Sequence, residues 1–201
     1  MKSLLCPLFL VLNALHLPAS LAGAGGDPDR PNATGDAMSN LILTTFAGDD
    51  DELRWVRVND TVMGGRSSSA FVVKAGILHF TGYLNTNGGG FASVRSAPET
   101  LGMDQHQHIR LRVRGDGRTY QLRLMTDNRG ASYRASFPTV AGQWQEITLP
   151  IDRFQATWRG RLLDRPPPAP TDIRSLGLMI ADQQDGPFAL EVDWIEALLD
   201  S

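Results

Sequence analysis

The chain of 201 residues is 42% hydrophobic and 20% charged, with 20 Gly, 12 Pro and one Cys. That composition fits a single globular domain with a short extra segment, and excludes both a disulfide framework and a multi-pass membrane protein. A net charge of -3 has the wrong sign for a general nucleic-acid binder, although the cations are unevenly chosen, 17 Arg to 2 Lys.

Residues 1–22 read as a signal peptide. Lys2 gives a positive start, Leu4 to Leu17 is mostly apolar, and Ala19, Ser20, Ala22, Gly23 and Ala24 supply small residues for cleavage. The apolar run is short against the roughly 20 residues of a bilayer span, and it lacks the Arg-rich amphipathic pattern of a mitochondrial transit peptide. The sequence therefore predicts an exported protein, periplasmic or extracellular, with no membrane span once the signal is cleaved. Cys6, the only cysteine, lies inside that signal, so the mature chain would carry no thiol chemistry and no disulfide. Residues 23–40, rich in Gly, Pro, Asp, Asn and Ala, read as a flexible leader. Within them Asn32-Ala33-Thr34 fits the N-glycosylation pattern.

From Leu41 to Leu199 the pattern is apolar-polar alternation broken by turn residues, which predicts an all-β domain. Phe71 to Phe80 reads as two strands joined at Ala75-Gly76. Ile109, Leu111 and Val113 alternate with Arg110, Arg112 and Arg114, and Gly115-Asp116-Gly117 then reads as the turn of a hairpin whose second strand carries Tyr120, Leu122 and Leu124. Further strands are expected over 132–137, 144–149, 175–181 and 188–194. Leu176 to Ile180, apolar at nearly every position, predicts a strand covered on both faces. In the last strand Phe188, Leu190, Val192 and Trp194 are expected inward, with Glu191 and Asp193 outward. About ten strands in about 160 residues predict a two-sheet β-sandwich of jelly-roll type. Pro166 to Pro170 reads as a stiff surface connection.

No catalytic apparatus stands out. Gly65-Arg66-Ser67-Ser68-Ser69 lacks the second glycine of a nucleophile elbow, and Gly88-Gly89-Gly90 lacks the Lys-Ser/Thr pair of a phosphate loop. His106 and His108 share a strand face, as metal ligands or as a polar sheet edge, with no third ligand at a recognisable spacing. Asp49-Asp50-Asp51-Glu52 reads as a calcium site or as a solvated turn. No cofactor and no metal is implied. More distinctive is a polar face of His106, His108, Arg110, Arg112 and Arg114, made guanidinium-rich by Arg123 from the expected hairpin partner. It reads equally as a binding face or as a solvated surface paired with Glu191 and Asp193.

Two glycine-bearing stretches have the composition of shaped loops. One contains Asn59, Asp60, Gly64, Gly65 and Ser67; the other contains Asn87, Gly88, Gly89, Phe91, Ser93 and Arg95. These patterns, with Arg118 to Arg123, Trp158-Arg159-Gly160 and Leu176 to Leu190, resemble the complex I intermediate-associated protein 30 family over residues 41–199. The resemblance implies a galactose-binding-like sandwich without established catalytic residues, and a protein partner that is an assembly intermediate of a membrane complex. Export sits poorly with that role and suits the alternative, a carbohydrate-binding module with a glycan partner. Under either, the motif residues line a binding surface or hold the loops together, with Arg95 offsetting a buried carboxylate such as Asp60.

Overall fold

A computed structural model describes residues 40–48, 53–60, 64–127 and 131–200. The expected signal peptide, the leader up to residue 39, the glycosylation triplet and the acidic run Asp49–Glu52 lie outside the described residues. Among the described residues there are thirteen strands: β1 (Leu41–Thr44), β2 (Trp55–Asn59), β3 (Ser68–Lys74), β4 (Ile77–Leu84), β5 (Ala92–Ser96), β6 (His106–Gly115), β7 (Thr119–Thr126), β8 (Ser132–Pro138), β9 (Trp144–Pro150), β10 (Gln155–Trp158), β11 (Arg161–Leu162), β12 (Ile173–Ile180) and β13 (Gly186–Leu199). They form two sheets, as the alternation predicts. Sheet A runs β3-β4-β13-β6-β9, with β1 added to β13, and sheet B runs β11-β10-β8-β7-β12-β5-β2. Every strand pairing is antiparallel. No helix among the described residues is long and apolar enough to cross a membrane.

The core fills the space between the sheets. Leu78, Phe80, Ile109, Leu111, Val113, Leu190 and Val192 face inward from sheet A, and Val94, Tyr120, Leu122, Leu124, Leu176, Leu178 and Ile180 from sheet B, all fully buried. Burying each large apolar side chain is worth on the order of 1.5–3 kcal/mol, so this layer is a major favourable contribution to the fold. β12, between β7 and β5, is covered on both faces: Leu176, Leu178 and Ile180 sit in the core, and Met179 on the opposite face is also buried. β3 and β4 form the expected hairpin, closed by Ala75 and Gly76 with φ of 51° and 72°, the double left-handed turn that matches strand twist.

Two expectations are corrected. Gly115-Asp116-Gly117 is not a hairpin turn: β6 belongs to sheet A and β7 to sheet B, so the chain turns a corner there. Trp194 does not continue the inward row of β13. The register slips between Val192 and Trp194, so that Trp194 faces Arg112 while Ile195 faces Leu111. The bulge moves Trp194 onto the outer side of sheet A and Ile195 into the core.

Five connections that cross between the sheets, β2–β3, β4–β5, β6–β7, β8–β9 and β12–β13, gather at one end of the sandwich. The registers require it, because Asn59 faces Ala92, Ala92 faces Ile180, Ile180 faces Tyr120, and Thr119 faces Pro138.

Candidate functional site

At the crossing end, the two glycine-bearing stretches meet on one buried carboxylate. Asp60 follows β2 and is fully buried. Its Oδ1 accepts the Ser67 N–H at 3.0 Å, and its Oδ2 accepts the Ser67 hydroxyl at 2.7 Å, the Gly90 N–H at 2.7 Å and the Phe91 N–H at 3.4 Å. Burial alone would raise the Asp60 pKa. The donors from Gly90, Ser67 and Phe91 outweigh it and hold the carboxyl below its ordinary value. Ser67 also accepts the Asn85 N–H at 3.1 Å. The Ser69 hydroxyl donates to Asn59 at 2.6 Å, and the Ser93 hydroxyl donates to the Val58 carbonyl at 2.5 Å. Arg95 is not among the partners of Asp60, which corrects the expected pairing; it lies on β5, opposite Val56 and Gly177.

The glycines of this knot make room for the carboxylate. A Cβ on Gly65 would lie 2.2 Å from Asp60 Cγ, and one on Gly89 would lie 2.3 Å from Asp60 Oδ2. Gly64 and Gly88 instead take left-handed backbone, with φ of 87° and 78°. Asn87, Gly88 and Gly64 are exposed at the loop tips, whereas Asp60, Ser67 and Ser93 are buried. Gly89→Ala is expected to destabilise the domain by about 2 kcal/mol through overpacking. The check is a lower urea midpoint at an unchanged slope.

The guanidinium face expected on one surface is divided between the sheets. On the outer side of sheet A, Arg110, Arg112 and Arg114 are paired across the ladder to β13. Arg110 Nε donates to Glu196 at 2.5 Å, Arg112 Nη1 donates to Asp193 at 2.8 Å, and Arg114 pairs with Glu191. Their planes also cover aromatic rings, Arg110 over Trp194 at 5.5 Å and Arg114 over Trp144 at 4.9 Å. The pairing with Glu191 and Asp193 is thus what the geometry shows for Arg112 and Arg114. Among the described residues no group of three or more His, Cys, Asp or Glu side chains is placed to hold a metal.

Arg123 lies on the opposite sheet, in different company. On the outer face of sheet B one row crosses five strands: Val56 of β2 faces Arg95 of β5, Gly177 of β12 lies between Arg95 and Arg123 of β7, and Arg134 of β8 faces Arg123. Strand alternation adds Ser93, Gln121, Met125, Ser132, Thr157, Ser175 and Met179 to the same face. None of these strand positions is aromatic. Arg123 is only 8% exposed, and every polar partner it has there is neutral. Nη1 donates to Gln121 Oε1 at 3.3 Å, and Nη2 donates to Thr157 Oγ1 at 2.9 Å and to Ser132. Burial, then the charges of Arg95 and Arg134, push the Arg123 pKa down to about 10. Burial likewise lowers that of Arg95. Sequence reasoning missed Arg134 and Gly177. The alternation of Ser132, Arg134 and Ser136 against Tyr133, Ala135 and Phe137 was the available signal for the first.

Comparison with known proteins matches this same sandwich. Complex I intermediate-associated protein 30, mitochondrial, of Mus musculus is 27% identical over 187 residues, covering 79% of this chain and 56% of that protein. The Drosophila melanogaster protein of the same name is 30% identical over 131 residues, covering 61% and 44%. The chain thus spans about half the length of these curated relatives. Among solved structures, the family 11 carbohydrate-binding module of Lic26A-Cel5E from Clostridium thermocellum superposes with a TM-score of 0.58 at 17% identity, covering 82% of this chain and 97% of that one. The agarase AgWH50C superposes at 0.57 and 11% identity, covering 81% and 25%. Those likenesses establish the sandwich fold. The relatives are named as mitochondrial proteins, which overturns the expectation of a periplasmic or extracellular location. That expectation rested on the apolar run of residues 4–17, outside the described part. The family profile of complex I intermediate-associated protein 30 matches residues 44–192, from the last residue of β1 to the middle of β13, and the chain belongs to that family.

Proposed function

We propose that this chain is a non-catalytic, protein-binding assembly factor that holds an intermediate of respiratory complex I. The observation that carries the reading is the family match over residues 44–192, which takes in strands of both sheets. The sandwich, residues 41–199, is then the binding unit, and the exposed tips around Gly64, Asn87 and Gly88 are open to a partner. A glycan partner draws on fold likeness alone. Sugar recognition commonly stacks pyranose faces on rings, and the strand positions on the outer face of sheet B carry none. Protein is therefore the better-supported partner.

Affinity capture of the tagged chain from gently solubilised membranes of its source, followed by native electrophoresis, tests the reading. The expected result is recovery of complex I subunits in incomplete assemblies, with those assemblies accumulating in cells that lack the chain. Full levels of mature complex I in such cells, with no complex I subunit captured, overturn it.

A further inference from the structure

The row on the outer face of sheet B presents an electrostatic problem. Neighbouring strands lie about 4.8 Å apart, so Arg123 and Arg134 are adjacent, and Arg95 is two strands from Arg123 across β12. Among the described residues no carboxylate is paired with any of the three; Arg110, Arg112, Arg114, Arg118 and Arg174 all have such partners. The Nε atoms of Arg95 and Arg123 are buried and have no hydrogen-bond partner. An unpaired buried donor on a cation is costly to keep, and here two are kept on either side of β12 with a third cation next to Arg123.

Gln121, Ser132 and Thr157 fix the Arg123 guanidinium with neutral oxygens, which orients the group without cancelling its charge. Gly177, the residue between Arg95 and Arg123, lets the stems of both arginines close over β12. A Cβ there would lie 3.3 Å from both Arg123 Cβ and Arg95 Cγ, so any side chain would push the stems of the two arginines apart. Ser93, Ser175 and Met179 share this face, the two hydroxyls donating to the Val58 and Ser96 carbonyls. The arrangement is a cluster of three cations packed over and beside a glycine.

We propose that this cluster of Arg95, Arg123 and Arg134 around Gly177 binds a small multivalent oxyanion, a phosphate ester or a polycarboxylate. Guanidinium forks match the paired oxygens of either group. A ligand of charge -2 or -3 would neutralise most of a row of three cations, where a single carboxylate would leave most of it unpaired. A small ligand is favoured over an acidic protein segment because Arg123 is 8% exposed. The half-buried Arg95 and Arg134 make the direct contacts, and Arg123 holds charge between them from beneath. The inference does not depend on the assembly-factor reading, since it concerns the free domain.

The test titrates the full chain with pyrophosphate, inorganic phosphate and citrate, followed by calorimetry at constant ionic strength, with hexaglutamate peptide as a parallel arm. Saturable binding of pyrophosphate or citrate is expected. Arg95→Gln and Arg134→Gln should each weaken it about tenfold or more, and Arg153→Gln, altering an exposed arginine outside the row, should leave it unchanged. If a row variant folds poorly, the wild-type chain still decides. Pyrophosphate should protect Arg95 and Arg134 from phenylglyoxal in peptide maps, and leave Arg153 reactive. Absence of saturable binding by all three small anions, equal affinity in the row variants, or unprotected Arg95 and Arg134 overturns the proposal. Binding of hexaglutamate alone also overturns it, in favour of an acidic polypeptide.

Discussion

Asp60→Asn is expected to lower the stability of the domain by about 3 kcal/mol, a fall of roughly 6–12 °C in Tm for a domain of this size. The reason lies in which donors the carboxylate serves. Turned with its NH2 in place of Oδ2, the amide would confront the N–H groups of Gly90 and Phe91. Turned the other way, it confronts only the Ser67 N–H, and the Ser67 hydroxyl keeps an acceptor. The second orientation wins. It still strands one buried donor and replaces charge-assisted bonds with neutral ones. The pH dependence gives a second reading. The folded pKa of Asp60 is depressed, so its contribution is complete above the unfolded value of about 3.9 and is lost as the pH falls through the folded value. The Asn variant has no such group. The gap in urea midpoint between wild type and variant should therefore be widest near neutral pH and narrow toward about pH 3. A gap that stays constant would show that Asp60 acts through shape alone.

Legibility in the sequence followed the range of each interaction. The alternation of Ile109, Leu111 and Val113 with three arginines identified β6 because period-two patterning is local. It could not say which strand lies beside β6, since Gly115-Asp116-Gly117 has the composition of a hairpin turn and of a corner between sheets alike. That ambiguity put Arg112 and Arg123 on one face, where the fold puts them on two. Trp194 was misplaced for a related reason. Its spacing from Val192 is correct for alternation, and the bulge that turns it outward is set by pairing with β6. The loop motifs were legible as shaped loops, but their shared partner was not, because Asp60 and Gly90 are thirty residues apart. The outer row of sheet B was least visible. Arg95, Gly177, Arg123 and Arg134 come from β5, β12, β7 and β8, an order that no local pattern encodes.

A second large effect is expected where the crossing connections are held together. Arg118, just before β7, forms a two-pronged pair with Asp182 of the β12–β13 connection, Nε to Oδ2 at 2.9 Å and Nη2 to Oδ1 at 2.6 Å. The same guanidinium donates to the carbonyls of Pro187 at 2.8 Å, of Gly186 at 3.2 Å and of Gln184. Asp116 completes the tie, accepting from the Tyr120 hydroxyl at 3.0 Å and the Ala189 N–H at 2.9 Å. Hydrogen bonding to Asp182 raises the Arg118 pKa, with burial opposing, so the group stays charged across the working range. The pair is nearly closed to solvent, with side-chain exposures of 12% and 6%. Removing either partner leaves the other charge poorly solvated, so Arg118→Ala and Asp182→Ala should each destabilise the domain by about 3 kcal/mol. Arg118→Lys should fare little better, because an ammonium cannot place donors on two carboxylate oxygens and three carbonyls at once. In a double-mutant cycle the Arg118→Ala, Asp182→Ala chain should lose clearly less than the sum of the single losses, since the second truncation removes a charge already stranded by the first. Strictly additive losses would mean that the ladders of the two sheets, and not this tie, hold the β6–β7 corner against the β12–β13 connection.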